Sequence, residues 1–230
     1  MRKVITNDNN LQVLYEDNHI IIVNKRSGDI VQGDKTGDTP LSEIVKSYIA
    51  KKYNKPGAVY LGVVHRLDRP TSGIVVFART SKALPRLNAL FANKEAQKTY
   101  WAVVKNLPPK ENDTLIHWLK RNPKQNKSYA NKNEVPDSKK AILDYQLIKK
   151  LTNYNLLEVT LHTGRHHQIR SQLSAIGCII KGDLKYGADR SNKDGSIHLH
   201  ARKLTFIHPV KKEPLSIIAP PPSDSIWDIC

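Results

Sequence analysis

The sequence predicts an α+β protein, a single domain built mainly on antiparallel sheet. Short apolar runs separated by turn residues recur along most of the chain, whereas helical spacing appears in only a few stretches. No internal repeat and no Gly/Ser-rich linker divides the 230 residues, a length that suits one large domain or two small ones.

The first element expected is a hairpin over 11–24 (LQVLYEDNHIIIVN), with Glu16-Asp17-Asn18 as its turn. Residues 39–52 place Leu41, Ile44, Val45, Tyr48 and Ile49 on one helical face after a Thr-Pro start. In VVHRLDRPTSGIVVFA (63–78) two strand-like runs flank a polar knot. A helix follows over about 81–93, then a strand, KTYWAVV (98–104). Residues 119–140 hold seven Lys or Arg and two acids among prolines and asparagines, and read as an exposed basic hairpin or loop. Two β-rich runs, AILDYQLIKKL and NLLEVTLH, meet at Thr152-Asn153-Tyr154. Ile169, Leu173 and Ile176 then form a helical stripe that Gly177 is placed to stop. Strands close the chain in IHLHARKLTFIHP and PLSIIAP, and Trp227 in the tail is read as packing. The expected division is an N-terminal extension (1–10), a main domain (11–222) and a C-terminal tail (223–230).

Charge narrows the partners. With 37 Lys+Arg against 21 Asp+Glu, the formal charge is +16. Phosphate backbones are the commonest counterpart of such an excess, because neutralising them releases condensed counterions. The longest apolar runs are far too short to span a bilayer, so no membrane role is expected. The N-terminus lacks the apolar core of a signal peptide. Two cysteines, Cys178 and Cys230, favour a reducing cytoplasm without a disulfide framework. No phosphate loop, GxGxxG or GxSxG is present. The histidines His162, His166 and His167, and His198 with His200, have Arg165, Arg170 and Arg202 as neighbours. Such cations would repel a divalent ion, so phosphate or base contacts are expected there and no metal.

One acid stands out. Asp68 lies between Arg66 and Arg69, in a knot that Pro70, Ser72 and Gly73 favour as a sharp, fixed loop. If 64–68 were extended, Arg66 and Asp68 would share one face and His65 and Leu67 the other. An acid on a cationic face stays ionised and available as a nucleophile. The plain alternative is an acid that closes a turn and pairs with a neighbouring arginine. A lone carboxylate does not suit glycoside hydrolysis, which usually uses two. It fits cofactor-free chemistry at a ribose or pyrimidine.

HRLDRPTSGIVVFART resembles the segment around the catalytic Asp in the RluA family of pseudouridine synthases, HRLDxxTSG followed by an apolar strand; all seven specified positions match. YEDNHIIIVNKRSGDIVQ is similar to that family's opening hairpin and K-P-x-G segment, with Arg26 where Pro is usual. KTYWAVV resembles its K-x-Y-x-A-x-V strand, and LHARKLTFIHPV its closing strand. LHTGRHHQIRSQLSAIGCIIKGDLKYG resembles its TGRxHQIRxHLxxxGxPIxGDxxYG block, with Gln172 in place of His and Ile179 in place of Pro. The likeness covers about residues 11–220.

The resemblance implies a mixed, largely antiparallel sheet with a central active-site cleft, and RNA, either rRNA or tRNA, as partner, with no metal and no cofactor. Asp68 would be the nucleophile that detaches uracil for rejoining through C5. Attack at C1′, attack on the base and a glycal-like route all remain open. Tyr100 would stack on the flipped base and is a candidate for proton transfer; Arg170 would orient Asp68; Arg66 would fill the gap left by the everted uridine. His65, Arg69, Thr71, Arg165, His167 and Gln168 are the further substrate-binding candidates. Many relatives carry an N-terminal S4-type RNA-binding module, for which a first strand near residue 11 leaves no room. Grip on RNA is therefore expected from the catalytic body, from Lys120, Arg121, Lys124 and Lys127 with Lys149, Lys150, Lys211 and Lys212. A monomer is expected. The competing readings are a non-catalytic RNA-binding or ribosome-assembly protein, and a metal-independent ribonuclease using His65 or His166.

Overall fold

The structure, a computed structural model, describes residues 5–230. In chain order its elements are β1 (Val13–Glu16), β2 (Ile20–Lys25), α1 (Leu41–Lys52), β3 (Gly62–Val63), β4 (Ser72–Ala78), α2 (Ala83–Ala92), β5 (Gln97–Val104), β6 (Asn112–Asn122), β7 (Lys127–Asn131), β8 (Ser138–Lys150), β9 (Asn155–Leu161), α3 (Gln168–Ala175), β10 (Leu199–Ile207) and β11 (Pro214–Ile218). Short 3-10 turns add Leu184–Tyr186 and Trp227–Ile229. The residues gather into two compact units: one runs to Ala96 and adds Ala201–Pro222, the other is Gln97–His200 with Ser223–Cys230. The α+β reading and the dominance of antiparallel pairing both stand.

In the first unit the strands run β1-β2-β4-β10, with β3 on β4 and β11 on β10. The unbroken apolar runs IIIV and IVVFA have a simple cause, burial on both faces. Ile20 and Ile22 of β2 and Ile74, Val76 and Ala78 of β4 join a core with Ala83, Leu87 and Leu90 of α2. The alternate residues, Ile21, Val23, Val75 and Phe77, pack with Leu41, Val45 and Ile49 of α1. Each of the two helices therefore covers one face of the sheet. The described part of the N-terminal extension is tied down, since Thr6 donates its hydroxyl to Asp29 at 2.7 Å and Arg26 donates to the Asn10 carbonyl at 2.9 Å.

In the second unit the order is β5-β9-β8-β6-β7. One face carries Ala102, Leu115, Leu143, Tyr145, Leu157 and Val159 against Ile169 and Leu173 of α3. Gly177 ends that helix as expected. At φ +79° it takes a left-handed position, and its N–H reaches Ser174 O while Cys178 N–H reaches Leu173 O, a paired C-cap. Trp227 packs with Val103 and Leu156, as read from the sequence.

The strand boundaries near Asp68 need correction. Residues 64–68 are not an extended strand, because β3 ends at Val63 and the loop begins there; Ser72 and Gly73, read as loop, open β4 instead. The basic segment takes the hairpin form of the two offered by the sequence: β6 continues to Asn122, pairs with β7, and the turn to Lys127 closes with Gln125 N–H on the Asn122 side chain and Asn126 N–H on Pro123 O.

Candidate active site

The loop that carries Asp68 is held at nearly every residue. Leu67 packs into the core on the α1 side. The His65 ring stacks on Phe91, centroids 4.7 Å apart, and its Nε2 accepts the Val76 N–H at 3.1 Å. An accepting Nε2 means a neutral ring with its proton on Nδ1. Thr71 N–H closes a turn on Asp68 O at 3.0 Å.

Behind the turn sits Lys25, only 1% exposed. Its ammonium donates to Thr71 O, Arg26 O and Arg69 O at 2.7, 2.9 and 3.1 Å. Gly28 N–H also meets Arg69 O, at 2.8 Å, and Ser27 Oγ donates to Pro70 O at 3.1 Å. The segment Lys25-Arg26-Ser27-Gly28 is thus a clamp on three successive loop carbonyls. Gly73 fixes the far end. At φ +116° it passes so close to the next strand that a Cβ would lie 2.4 Å from Ala201 O, so only glycine fits.

On this loop the structure brings together His65, Arg66, Asp68, Arg69 and Thr71. Asp68 is half-buried and Arg66 exposed. Arg69 turns to the 34–38 loop, pairing with Asp38 and donating to Thr36 Oγ1 at 2.8 Å. Thr71 Oγ1 is buried without a hydrogen-bond partner.

The second unit gathers Arg165, His167, Gln168 and Arg170 around the start of α3. Arg170, 5% exposed, forks onto Asp183, Nε to Oδ2 at 2.7 Å and Nη2 to Oδ1 at 2.8 Å. This is the bidentate geometry that fixes a guanidinium plane. Its Nη1 donates to His167 Nε2 at 3.2 Å, and His167 Nδ1 meets the Tyr186 hydroxyl at 3.0 Å. That hydroxyl takes the Ser128 N–H and donates back to Ser128 O, at 2.9 and 3.1 Å. The relay holds His167 at φ +52°, a left-handed conformation that a non-glycine residue adopts at a cost of about 1–3 kcal/mol. The same relay fastens β7 to the helix.

Gln168 does structural work. Buried, it accepts from Thr163 Oγ1 and Arg165 N–H and donates to Ile142 O, so its amide shapes the Thr163-Gly164-Arg165 turn. Arg165 is exposed and donates Nε to Lys140 O at 3.1 Å. Tyr100, on β5 opposite Val159, packs at the edge of the α3-side core. Lys98 lies on the same face of that strand, and burial lowers its ammonium from the ordinary range.

The basic quartet divides. Lys120, Arg121 and Lys124 line a groove of about 460 Å³ at the β6–β7 hairpin with Asn122, Pro123, Tyr129 and Asn131. Lys127 instead lies over the Tyr186 and Tyr129 rings, 4.9 and 5.3 Å from their centres. Among the described residues no three His, Cys, Asp or Glu side chains gather as a metal site. Burial pushes both thiols, Cys178 and Cys230, up to about 11, so neither supplies much thiolate at neutral pH.

The profile of the family described as RNA pseudouridylate synthase matches residues 19–175, a span that includes the Asp68 loop, Tyr100 and Arg170. The chain belongs to that family. An RNA pseudouridylate synthase is an isomerase, and the relatives fit this class. An uncharacterized RNA pseudouridine synthase of Chlorobaculum parvum is 35% identical over 93% of this chain and 72% of its own length. The ribosomal large subunit pseudouridine synthase C of Buchnera aphidicola is 34% identical over 92% of this chain and 67% of its own. The chain therefore spans about two thirds to three quarters of these curated relatives. The human RNA pseudouridylate synthase domain containing 4 has the same fold at 21% identity, with a TM-score of 0.78 over 95% of this chain and 91% of that one.

Within this RNA pseudouridylate synthase fold, sequence reasoning passed over Lys25, Asp183 and Tyr186. All three stand in segments already matched to the family, KRSG and GDLKYG. Their partners are remote in sequence, so spacing alone could not assign their work.

Proposed function

We propose that this chain isomerises uridines in structured ribosomal or transfer RNA, with Asp68 as nucleophile and the target nucleotide everted from its stack. The observation that carries the reading is the pinning of the Asp68 turn by Lys25, Gly28, Ser27 and His65, which fixes the backbone that carries the carboxylate. Preorganisation of that kind is what nucleophilic attack on a sugar or base requires. Relatives named for the ribosomal large subunit favour rRNA over tRNA.

The N1–C1′ bond breaks, the freed uracil turns, and a C5–C1′ bond forms. C5 loses its proton and N1 gains one, so nothing is oxidised or reduced. Neither carbon is reachable in a stacked helix, hence the eversion. Asp68 attacks C1′, adds to the base, or supports a glycal-like intermediate, and each route needs it ionised and fixed. Motif position assigns Tyr100 to stacking on the everted base, Arg170 to orienting Asp68 and Arg66 to the vacated stack. Lys120, Arg121 and Lys124 serve phosphates, and the enzyme acts as a cytoplasmic monomer.

Incubating the purified chain with unmodified rRNA and tRNA transcripts, then mapping pseudouridine by carbodiimide-blocked primer extension, tests the reading. Asp68→Asn is expected to fold and bind RNA but convert no uridine. Substantial turnover by that variant would assign the nucleophile elsewhere. Wild-type binding without any conversion would favour a non-catalytic RNA-binding role, and cleaved transcripts a ribonuclease.

A further inference from the structure

We infer that the β6–β7 hairpin groove binds an unpaired nucleotide of the RNA, with its base against Tyr129 and its phosphates on Lys120, Arg121 and Lys124. The inference rests on RNA being the substrate and adds which part of it the hairpin reads.

Register builds the site. Lys120 stands directly opposite Tyr129 in the β6–β7 ladder, so cation and ring lie on one face of the ribbon. Ser128, next along β7, faces the opposite way and is buried. Tyr129 is 42% exposed, a large aromatic covered in part by the Lys127 ammonium 5.3 Å from its ring centre. The turn adds Lys124 and Pro123 at one end, and Asn131 closes the other. Asn131 Nδ2 already donates to Trp118 O at 3.1 Å, leaving its amide oxygen for a base edge. The groove's volume, about 460 Å³, falls in the range of small-molecule sites.

Charge and rigidity decide between occupants. The acid nearest Lys120 is the exposed Asp137, 3.8 Å away, and the lining itself contains no carboxylate. An anion is therefore favoured. An aromatic face interleaved with phosphate-binding cations is the pattern of single-strand recognition, where every base offers a ring to stack. A duplex hides those rings, and a lipid headgroup has none. The platform is also held still: Ser128 ties β7 to Tyr186 and His167, and Ser171 Oγ donates to Ser128 O at 3.0 Å. Little ordering cost would remain to be met on binding.

The test is fluorescence anisotropy of the purified full chain with a labelled oligocytidylate, which contains no uridine and so cannot report catalysis. A duplex of matching length and an abasic oligomer are the comparisons. Tyr129→Ala is expected to weaken oligocytidylate binding about five- to a hundredfold, Tyr129→Phe to restore it, and neither to change the abasic oligomer. Lys124→Glu should weaken both single strands and flatten the salt dependence by about 0.7 in log–log slope for each phosphate no longer neutralised. Equal losses on duplex and single strand, or no loss in Tyr129→Ala, would overturn the inference while leaving uridine isomerisation untouched. Failure of Asp68→Asn to stop conversion would leave this binding result standing.

Discussion

Asp183 holds Arg170 by both of its carboxylate oxygens, at 2.7 and 2.8 Å, with neither residue more than 5% exposed. A charge pair so deeply desolvated is costly to break from one side, because the survivor stays buried without the charge it was paired with. The pair also sets the plane in which the Arg170 guanidinium lies.

Removing the acid should therefore reach both stability and chemistry. Asp183→Ala is expected to destabilise the fold by about 3–5 kcal/mol, read by urea denaturation. Arg170→Lys keeps the charge but cannot fork, and should lose most of its turnover with a smaller stability loss. Comparing the two denaturation midpoints with the two rates separates positioning from folding.

Lys25→Met tests the carbonyl clamp. The buried Thr71 carbonyl would lose its Lys25 donor, a cost of about 1–3 kcal/mol if left unsatisfied, whereas Arg69 O keeps the Gly28 N–H and Arg26 O the Asp29 N–H. The loss should concentrate on the 68–71 turn. Faster amide exchange at Thr71, whose N–H closes that turn, with a fall in turnover larger than the fall in RNA affinity, is the expected pair of results.

Gly73→Ala should be among the most damaging small substitutions in the chain. The added Cβ meets the Ala201 backbone, which cannot swing aside as a side chain would, at a φ that L residues rarely adopt. Insoluble expression or a drop of about 3 kcal/mol or more in unfolding free energy is expected.

His198 makes the fold acid-sensitive. Burial, with Lys181 nearby, holds its imidazole down to about 4 although Asp224 and Asp194 pull the other way. An unfolded chain takes up the proton near 6.5, so the stability contributed by neutral His198 is complete above that pH and falls as the solution is acidified towards 4. His198→Gln should flatten the dependence of the thermal midpoint on pH across that window, and change it little above about pH 7.

Much of the fold could be read in advance because its cause is local. The β1–β2 hairpin, the α1 stripe and the Gly177 stop each follow from residues within a few positions of one another. The register of β6 against β8 does not. Its alternation through Leu115, His117 and Leu119 is real, but adjacent exposed cations and the prolines beyond draw attention to a loop. The site divides in the same way. Asp68 is singled out because its setting between arginines is local, and Tyr100 and Arg170 are proposed from the family blocks. The hold of Lys25 on Thr71, 46 positions away, and that of Tyr186 on Ser128, 58 positions away, exist only once the chain is folded. Residues 64–68 stay outside the strands for a related reason. His65 is drawn onto Phe91 and the Val76 amide, and that attachment replaces a strand partner.

The two units also impose an order on biosynthesis. One needs Ala201–Pro222 to complete what begins before Ala96, and the other needs Ser223–Cys230 to complete what begins at Gln97. A ribosome must therefore release the chain beyond Ala201 before the first unit has all its strands, and no single proteolytic nick yields either unit intact. Such interleaving defers loop closure to the end and makes for slow maturation. Until β10 emerges, the edge of β4 that it pairs with would stand open for that interval.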